Sequence, residues 1–306
     1  MSNLAQDLLG TRFQNPIVLA SGTCGYGEEL DDCFDIDRVG GLVIKAVTLE
    51  PRAGNAAPRV AEYGAGMLNS IGLANVGVDD VIASKLPWLA HRLRHARVLV
   101  NVAGRTAEEY GELVARLEDA EGFVAYELNV SCPNVKEGGA IFCSREDLLT
   151  AAVRSARAAT RRPLVVKLAP NVPDIGRMAE VAVDAGADAL TLVNTMPGLL
   201  FDLDTRRPVL GAGSGGASGA ALLPIGVHAV RQARRRVSVP ILGAGGVSCG
   251  EDVVQYLLAG ANLVQLGTAS FADPRAALRV LNDLERYLTR ARLNDWTELI
   301  GAGLLP

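Results

Sequence analysis

The sequence predicts an α/β protein: a (β/α)8 barrel, formed as a single domain over residues 1–306, with long loops at its carboxyl face. Three observations lead there. Eight short apolar runs rich in Val, Ile and Leu alternate with longer amphipathic segments along nearly the whole chain. Such near-continuous apolar strands separated by helices indicate a parallel sheet covered on its outer face, and eight units in this length suit a closed barrel. No low-complexity linker divides the chain, and polar residues collect where the runs end. A doubly wound sheet is the other architecture that the alternation allows, but it ordinarily uses fewer strands.

The elements follow in order. P-I-V-L-A-S (16–21) ends on Ser21, and G-L-V-I-K-A-V (41–47) carries Lys45. R-V-L-V-N-V-A (97–103) carries Asn101 and leads to a helical pattern over 106–120. A-Y-E-L-N-V-S (125–131) carries Asn129, runs directly into Cys132, and is followed by a helix over 144–159. P-L-V-V-K-L-A (163–169) carries Lys167 before a helix over 174–185. A-L-T-L-V-N-T (189–195) ends on Asn194 and Thr195, with the next helix at 223–235. P-I-L-G-A-G-G (240–246) ends on Gly245 and Gly246 ahead of a helix starting near Gly250. L-V-Q-L-G-T-A (263–269) holds Gly267 and Thr268 before a helix over 273–290. Residues 48–75 and 196–222 exceed this repeat, being long, Gly-rich and without clear periodicity. Long segments of this kind in compact domains are usually functional, and both would emerge at the carboxyl mouth.

Composition excludes several classes. A formal net charge of −4 lacks the basic excess of a nucleic-acid binder, and the run Arg234–Arg236 reads as a solvated helix end facing the helix dipole. No stretch of 18 consecutive apolar residues suggests a membrane span, and the N-terminus has an acid but no basic region of a secretory signal. The five cysteines are odd in number and scattered, without a C-x-x-C pair, which argues against a disulfide scaffold, a zinc site or an iron–sulfur cluster in this chain. The expectation is a cytoplasmic, reduced protein with no bound metal. His91 and His95, spaced i,i+4 without the H-E-x-x-H glutamate, read as a solvated helix face. Strand ends lack paired carboxylates; Glu127 alone lies inside a strand. Gly211-x-Gly213-x-x-Gly216 fits a dinucleotide motif by letter but has no acidic residue about 20 positions on, so it is set aside.

The strand ends then define a site. Lysine is almost never buried without a partner, yet Lys45 and Lys167 interrupt runs of Val, Ile and Leu. With Asn101, Asn129 and Asn194 at equivalent places, they imply a concave site for an anionic, hydrogen-bonding ligand. G-A-G-G-V-S and L-G-T-A-S lead into helices after the last two strands, where barrels recurrently bind phosphate on backbone N–H groups. Cys132 stands against the usual tendency of a free cysteine to be a buried, inert hydrophobe.

N-V-S-C-P-N-V-K-E-G-G (129–139), K-A-V-T-L-E-P-R, G-M-L-N-S-I-G-L, V-V-K-L-A-P-N, V-N-T and L-G-A-G-G-V together resemble dihydroorotate dehydrogenase over essentially the whole chain. The likeness is greatest to class 1B, the catalytic subunit of a two-protein complex. Class 2 enzymes carry an N-terminal extension not seen in this sequence, and serine where Cys132 stands. The resemblance implies oxidation of dihydroorotate to orotate, the redox step of pyrimidine biosynthesis, on one FMN per chain. It assigns FMN contacts to Ser21, Lys45, Ala46, Asn101, Asn129, Lys167, Val193, Gly219, Gly245, Gly246, Gly267 and Thr268. It assigns the substrate to Lys45, Asn69, Ser70, Ile71, Gly72, Leu73, Asn129, Asn134, Asn194 and Thr195. Cys132 becomes the base that removes the C5 proton while hydride leaves C6, Lys167 the stabiliser of charge on the reduced flavin, and Lys45 a bridge to the substrate carboxylate. Gly138 and Gly139 would let the cysteine loop close over the ring.

The implied assembly is a homodimer within a heterotetramer, whose second subunit carries FAD and a 2Fe–2S cluster and passes electrons to NAD. Two departures stand out: Ala220 where proline is expected after Ser218-Gly219, and Cys143 within F-C-S where the family pattern has F-G. Three other readings stay open at this stage. They are a class 1A, fumarate-dependent enzyme, another FMN barrel acting on dihydropyrimidines, and a non-catalytic barrel that binds a phosphate ligand.

Overall fold

The computed structural model describes residues 4–131 and 141–304. Eight parallel strands close into a barrel: β1 (Ile17–Leu19), β2 (Gly41–Val43), β3 (Arg97–Val102), β4 (Ala125–Asn129), β5 (Leu164–Leu168), β6 (Ala189–Leu192), β7 (Ile241–Ala244) and β8 (Leu263–Leu266). Each pairs with the next in sequence, and β8 closes on β1 with Val264 opposite Ile17. Every one of the eight apolar runs is a barrel strand, so the doubly wound alternative falls.

Because side chains alternate across a strand, each strand feeds two cores. One residue per strand points inward to form the lower plug: Val18, Val43, Leu99, Ala125, Val165, Ala189, Leu242 and Leu263, sealed from below by Phe13. Phe13 belongs to the hairpin Gln6–Leu8 and Thr11–Phe13 that crosses the amino face. The intervening residues, among them Leu19, Leu42, Val100, Leu128, Val166 and Leu190, face outward and pack under the helices.

The helices lie close to expectation, at Ala107–Leu117, Glu146–Ala158, Ile175–Asp184, Leu223–Arg234, Gly250–Leu258 and Ala276–Ala291. Local chemistry sets their starts. Thr106 accepts from Glu109 N–H, and Asp174 accepts from Arg177 N–H, satisfying donors that the first turn leaves unpaired. The last helix begins later than predicted because a short helix, Ala269–Ala272, intervenes and Asp273 accepts from Arg275 N–H in the turn between them.

Three expectations are corrected. The helix holding His91 ends at Arg92, so His95 lies beyond it, its N–H donating to Asp37, and the two histidines do not share a helix face. The basic run is not simply a solvated end. Arg234 is half-buried and donates to Gly260 O and Asn262 Oδ1, while Arg236 pairs with Asp174 and Glu180.

The third correction concerns the two long segments, which are not structureless. Val60–Tyr63 and Gly66–Asn69 from the first combine with Met196–Gly198 and Gly215–Ser218 from the second into one four-stranded antiparallel sheet. Glycine makes that pairing close: a Cβ on Gly66 would lie 1.8 Å from Ser218 O. Gly216 of the motif set aside above sits in this sheet opposite Asn69, not in a strand-to-helix turn. Among the described residues no helix is long and apolar enough to cross a membrane.

Candidate active site

At the carboxyl ends of the strands lies a cavity of about 580 Å³, roofed in part by the antiparallel sheet. Among the described residues that line it, the only charged side chains are two cations, Lys45 and Lys167. Both are inward residues, placed two positions beyond Val43 and Val165 of the apolar plug. Lys167 is 6% exposed, so the burial inferred from its apolar run is real.

Most of the expected residues come together here. Ser21, Lys45, Ala46, Asn129, Lys167, Val193, Gly219, Gly245, Gly246, Gly267 and Thr268 line the cavity, as do Asn69, Ile71, Leu73, Asn194 and Thr195. Asn194 Nδ2 donates to Asn129 Oδ1 at 3.3 Å, and Thr195 N–H donates to Asn194 Oδ1 at 2.8 Å. These bonds orient both amides across the strand ends. Tyr110 Oη donates to the backbone oxygen of Asn129 at 2.7 Å, tying the end of β4 to the helix outside it.

Three expected residues stand apart from the lining. Ser70 and Gly72 shape the loop: Ser70 Oγ accepts from Asn55 Nδ2 at 2.8 Å, and Gly72 holds a left-handed φ of 71° beside Asn55. Asn101 is fully buried, its Nδ2 donating to Glu127 Oε1 at 2.8 Å while Oδ1 has no partner. Cys132 and Asn134, with Gly138 and Gly139, lie outside the described residues.

At and beneath the cavity floor is a layer that sequence reasoning missed, of which Gln265 lines the cavity. Glu127, Thr191 and Gln265 are buried to 1% exposure or less in the barrel interior. Glu127 Oε2 accepts from Thr191 Oγ1 at 2.8 Å and from Gln265 Nε2 at 2.7 Å, while Lys167 Nζ donates to Gln265 Oε1 at 3.2 Å. Lys167 Nζ also lies 3.6 Å from Glu127 Oε1. The signal was available: each of these residues falls two places before or beyond an inward neighbour on its strand, so parity alone marks it as pointing inside.

The cavity's other end is backbone. Gly245 and Gly246 adopt left-handed φ values of 119° and 76°, and Tyr256 Oη donates to Gly245 O at 2.7 Å to hold the turn. Among the described residues, the N–H groups of Gly246, Val247, Gly267 and Thr268 have no acceptor. Four such donors beside the helix starting at Gly250 form an anion cradle. A Cβ added to Gly22 on the cavity wall would meet nothing within 4 Å. A nucleotide-sized group with a phosphate at one end and a planar, hydrogen-bonding ring at the other fits these features. The unpartnered Asn101 Oδ1 lies in the same interior layer as Lys167.

Two of the other cysteines, Cys24 and Cys143, are buried. Burial pushes the Cys24 thiol up to about 12, and its Sγ donates to Val43 O at 3.2 Å. Burial also raises Cys143, which packs in the outer core. The residue that departs from the family pattern at 143 is thus an inert hydrophobe.

Residues 3–288 match the family model described as dihydroorotate dehydrogenase. The chain is 45% identical to the protein named dihydroorotate dehydrogenase B (NAD(+)), catalytic subunit, of Citrifermentans bemidjiense, over 96% of this chain and 95% of that one. A protein of the same name from Geotalea daltonii is 44% identical over 98% of each chain. A putative dihydroorotate dehydrogenase A (fumarate) of Solibacter usitatus is 48% identical over 97% of each. Among solved structures, DHODH of Eimeria tenella in complex with ferulenol superposes with a TM-score of 0.83 at 24% identity, covering 99% of this chain and 89% of that one. That last likeness speaks to the fold alone.

Proposed function

The chain belongs to the dihydroorotate dehydrogenase family, and on that premise we propose that it oxidises dihydroorotate to orotate as the catalytic subunit of a larger complex. The family implies a flavin-dependent oxidoreductase that uses FMN in pyrimidine biosynthesis. The observation that carries this reading is the cavity itself: among the described residues its lining has two lysines and no acid, the amides of Asn129 and Asn194 at the strand ends, and a glycine cradle at its far end. We read the whole chain, 1–306, as one catalytic domain.

In this reading the cradle of Gly246, Val247, Gly267 and Thr268, shaped by the turn at Gly245, holds the FMN phosphate, with Gly219 approaching from the sheet. Lys167 and Asn129 face the ring, and Ser21, Ala46 and Val193 border it. Bound there, FMN supplies the two-electron acceptor for hydride leaving C6 of the substrate. Lys45 neutralises the substrate carboxylate. Asn69, Asn129, Asn194 and Thr195 hydrogen-bond the pyrimidine carbonyl and N–H groups without competing as bases, and Asn134 is assigned with them from the sequence. Cys132, three residues beyond Asn129, takes the C5 proton as a thiolate; an ordinary thiol pKa of about 8.5 is close enough to working pH for that role.

The electrons must leave. Relatives named as NAD(+) catalytic subunits support a partner subunit, which we assign FAD and a 2Fe–2S cluster. Leu199, Phe201 and Leu203 around the hairpin Phe201–Asp202 and Arg207–Pro208 are 47%, 53% and 88% exposed, which supports a homodimer within that complex. A second reading, direct transfer to fumarate, is favoured by the 48% identical relative from Solibacter usitatus.

One experiment separates the two. The purified chain, loaded with FMN, is given dihydroorotate with NAD⁺, with fumarate or with an artificial dye. The expected result is dye reduction alone. Rapid fumarate reduction would assign the chain to the fumarate-dependent class, and failure to bleach flavin with dihydroorotate would overturn the substrate.

A further inference from the structure

The carboxylate of Glu127 occupies the barrel interior with 0% exposure, one layer below the cavity floor, and the reading above gives it no task. Its surroundings are unusual in kind. Asn101 Nδ2 and Lys167 Nζ address Oε1, at 2.8 and 3.6 Å, while Thr191 Oγ1 and Gln265 Nε2 address Oε2, at 2.8 and 2.7 Å. Four donors converge from β3, β5, β6 and β8 on an acceptor carried by β4. A carboxyl group met only by donors holds the ionised, acceptor-only form. Glu127 and Lys167 are therefore a buried ion pair.

That arrangement dictates what the neighbouring groups present upward. Gln265 turns its N–H groups to Glu127, so its Oε1 is left to accept from Lys167 at 3.2 Å. Asn101 likewise spends its amide N–H on Glu127, which leaves Oδ1 as an unpartnered buried acceptor. Lys167, held from below by a carboxylate and an amide oxygen, reaches the cavity from the floor. A negative charge 3.6 Å from its ammonium opposes the field that Lys167 projects upward.

We propose that Glu127 is a positioning residue for the flavin chemistry: it holds Lys167, Gln265 and Asn101 in one orientation beneath the ring, and its charge keeps the flavin's reduction potential down. This rests on the reading that FMN sits in this cavity with Lys167 facing it. The physical consequence has a definite sign. Adding electrons to a ring above Lys167 is favoured by the cation and disfavoured by the carboxylate behind it. Removing the carboxylate's charge while keeping its shape makes reduction easier.

The test is a redox titration of bound FMN at pH 7 in the FMN-saturated protein, with FMN affinity of the oxidised form measured beside it. Glu127→Gln is expected to raise the ratio of reduced-FMN to oxidised-FMN affinity about tenfold, which is about 30 mV for a two-electron couple. Glu127→Asp, which keeps the charge, is expected to stay near the unmodified protein. A role in packing alone would disturb stability in both variants and leave the potential unmoved. Where Glu127→Gln does not fold, the double variant Glu127→Gln/Lys167→Met replaces the ion pair by uncharged side chains, and its potential should lie above that of Lys167→Met alone. Equal potentials in the available comparison overturn the proposal. Lys167→Met by itself tests the reading beneath it: no shift there removes Lys167 from the flavin, whereas a shift there with none on changing Glu127 removes only the present inference.

Discussion

Thr268 Oγ1 donates to Ser218 Oγ at 2.8 Å, and Ser218 Oγ donates in turn to Met67 O at 3.2 Å. This relay joins the loop after β8 to the antiparallel sheet built from the two long segments. It couples the cradle at one side of the cavity to the roof at the other. Thr268→Val keeps the side chain's shape and removes its hydroxyl. With a net hydrogen bond worth about 1 kcal/mol, FMN should bind roughly fivefold more weakly. Fluorescence titration of FMN into the apoprotein checks this, and unchanged affinity would mean that the roof does not depend on the relay.

Gly246→Ala tests the cradle from the backbone. Gly246 has a left-handed φ of 76°, and an added Cβ would lie 2.4 Å from Leu223 N. Both the conformation and the contact oppose a side chain. A loss of about 1–3 kcal/mol of stability is expected, together with poorer FMN retention. Denaturant unfolding and the flavin-to-protein absorbance ratio measure the two effects; a variant that holds FMN normally would show that the turn need not keep its shape.

Cys132→Ser should retain FMN and orotate while dihydroorotate reduces the flavin about 10²–10⁴-fold more slowly, the usual worth of a positioned base. In the unmodified protein the same step should accelerate as pH rises through the thiol's titration. Stopped-flow bleaching at pH 7 decides the matter. Reduction at the original rate by the serine variant would take the base away from Cys132.

Alkaline stability should carry a signature of Cys24. Its folded-state value, pushed up to about 12 by burial, lies above the ordinary thiol value near 8.5 that the unfolded chain would show. The thiol's contribution is therefore complete below about pH 8.5 and is lost as pH climbs toward 12. The slope is at most about 1.4 kcal/mol per pH unit for one proton. Cys24→Ala should flatten the fall in stability between pH 9 and 11, whatever its effect at pH 7. Parallel curves for the two proteins would mean that the thiol is not held protonated by the fold.

The barrel was legible because its signal is local and repeated. Each strand announces itself through an apolar run of six or seven residues, and the alternation of runs with amphipathic segments admits few architectures. Lys45, Lys167, Asn129 and Asn194 were legible for a related reason: polar side chains inside apolar runs need a compensating environment, and eight parallel strands bring their ends to one place. What remained hidden depends on contacts between residues far apart in the chain. Residues 48–75 and 196–222 show no periodicity of their own because each contributes only a pair of short strands to the roof, and the two pairs become one sheet only where Gly66–Asn69 meets Gly215–Ser218, as Leu68 meets Ala217. Glu127, Thr191 and Gln265 likewise show singly, by parity, only that they point inward, and not which partners they meet. Their donors and acceptors match only when barrel closure sets β4, β6 and β8 around one axis, where the low dielectric makes an unmatched polar group costly and a matched set specific. Local pattern thus determined which strands form and where their polar ends gather, whereas barrel closure alone decided which of those polar groups face one another.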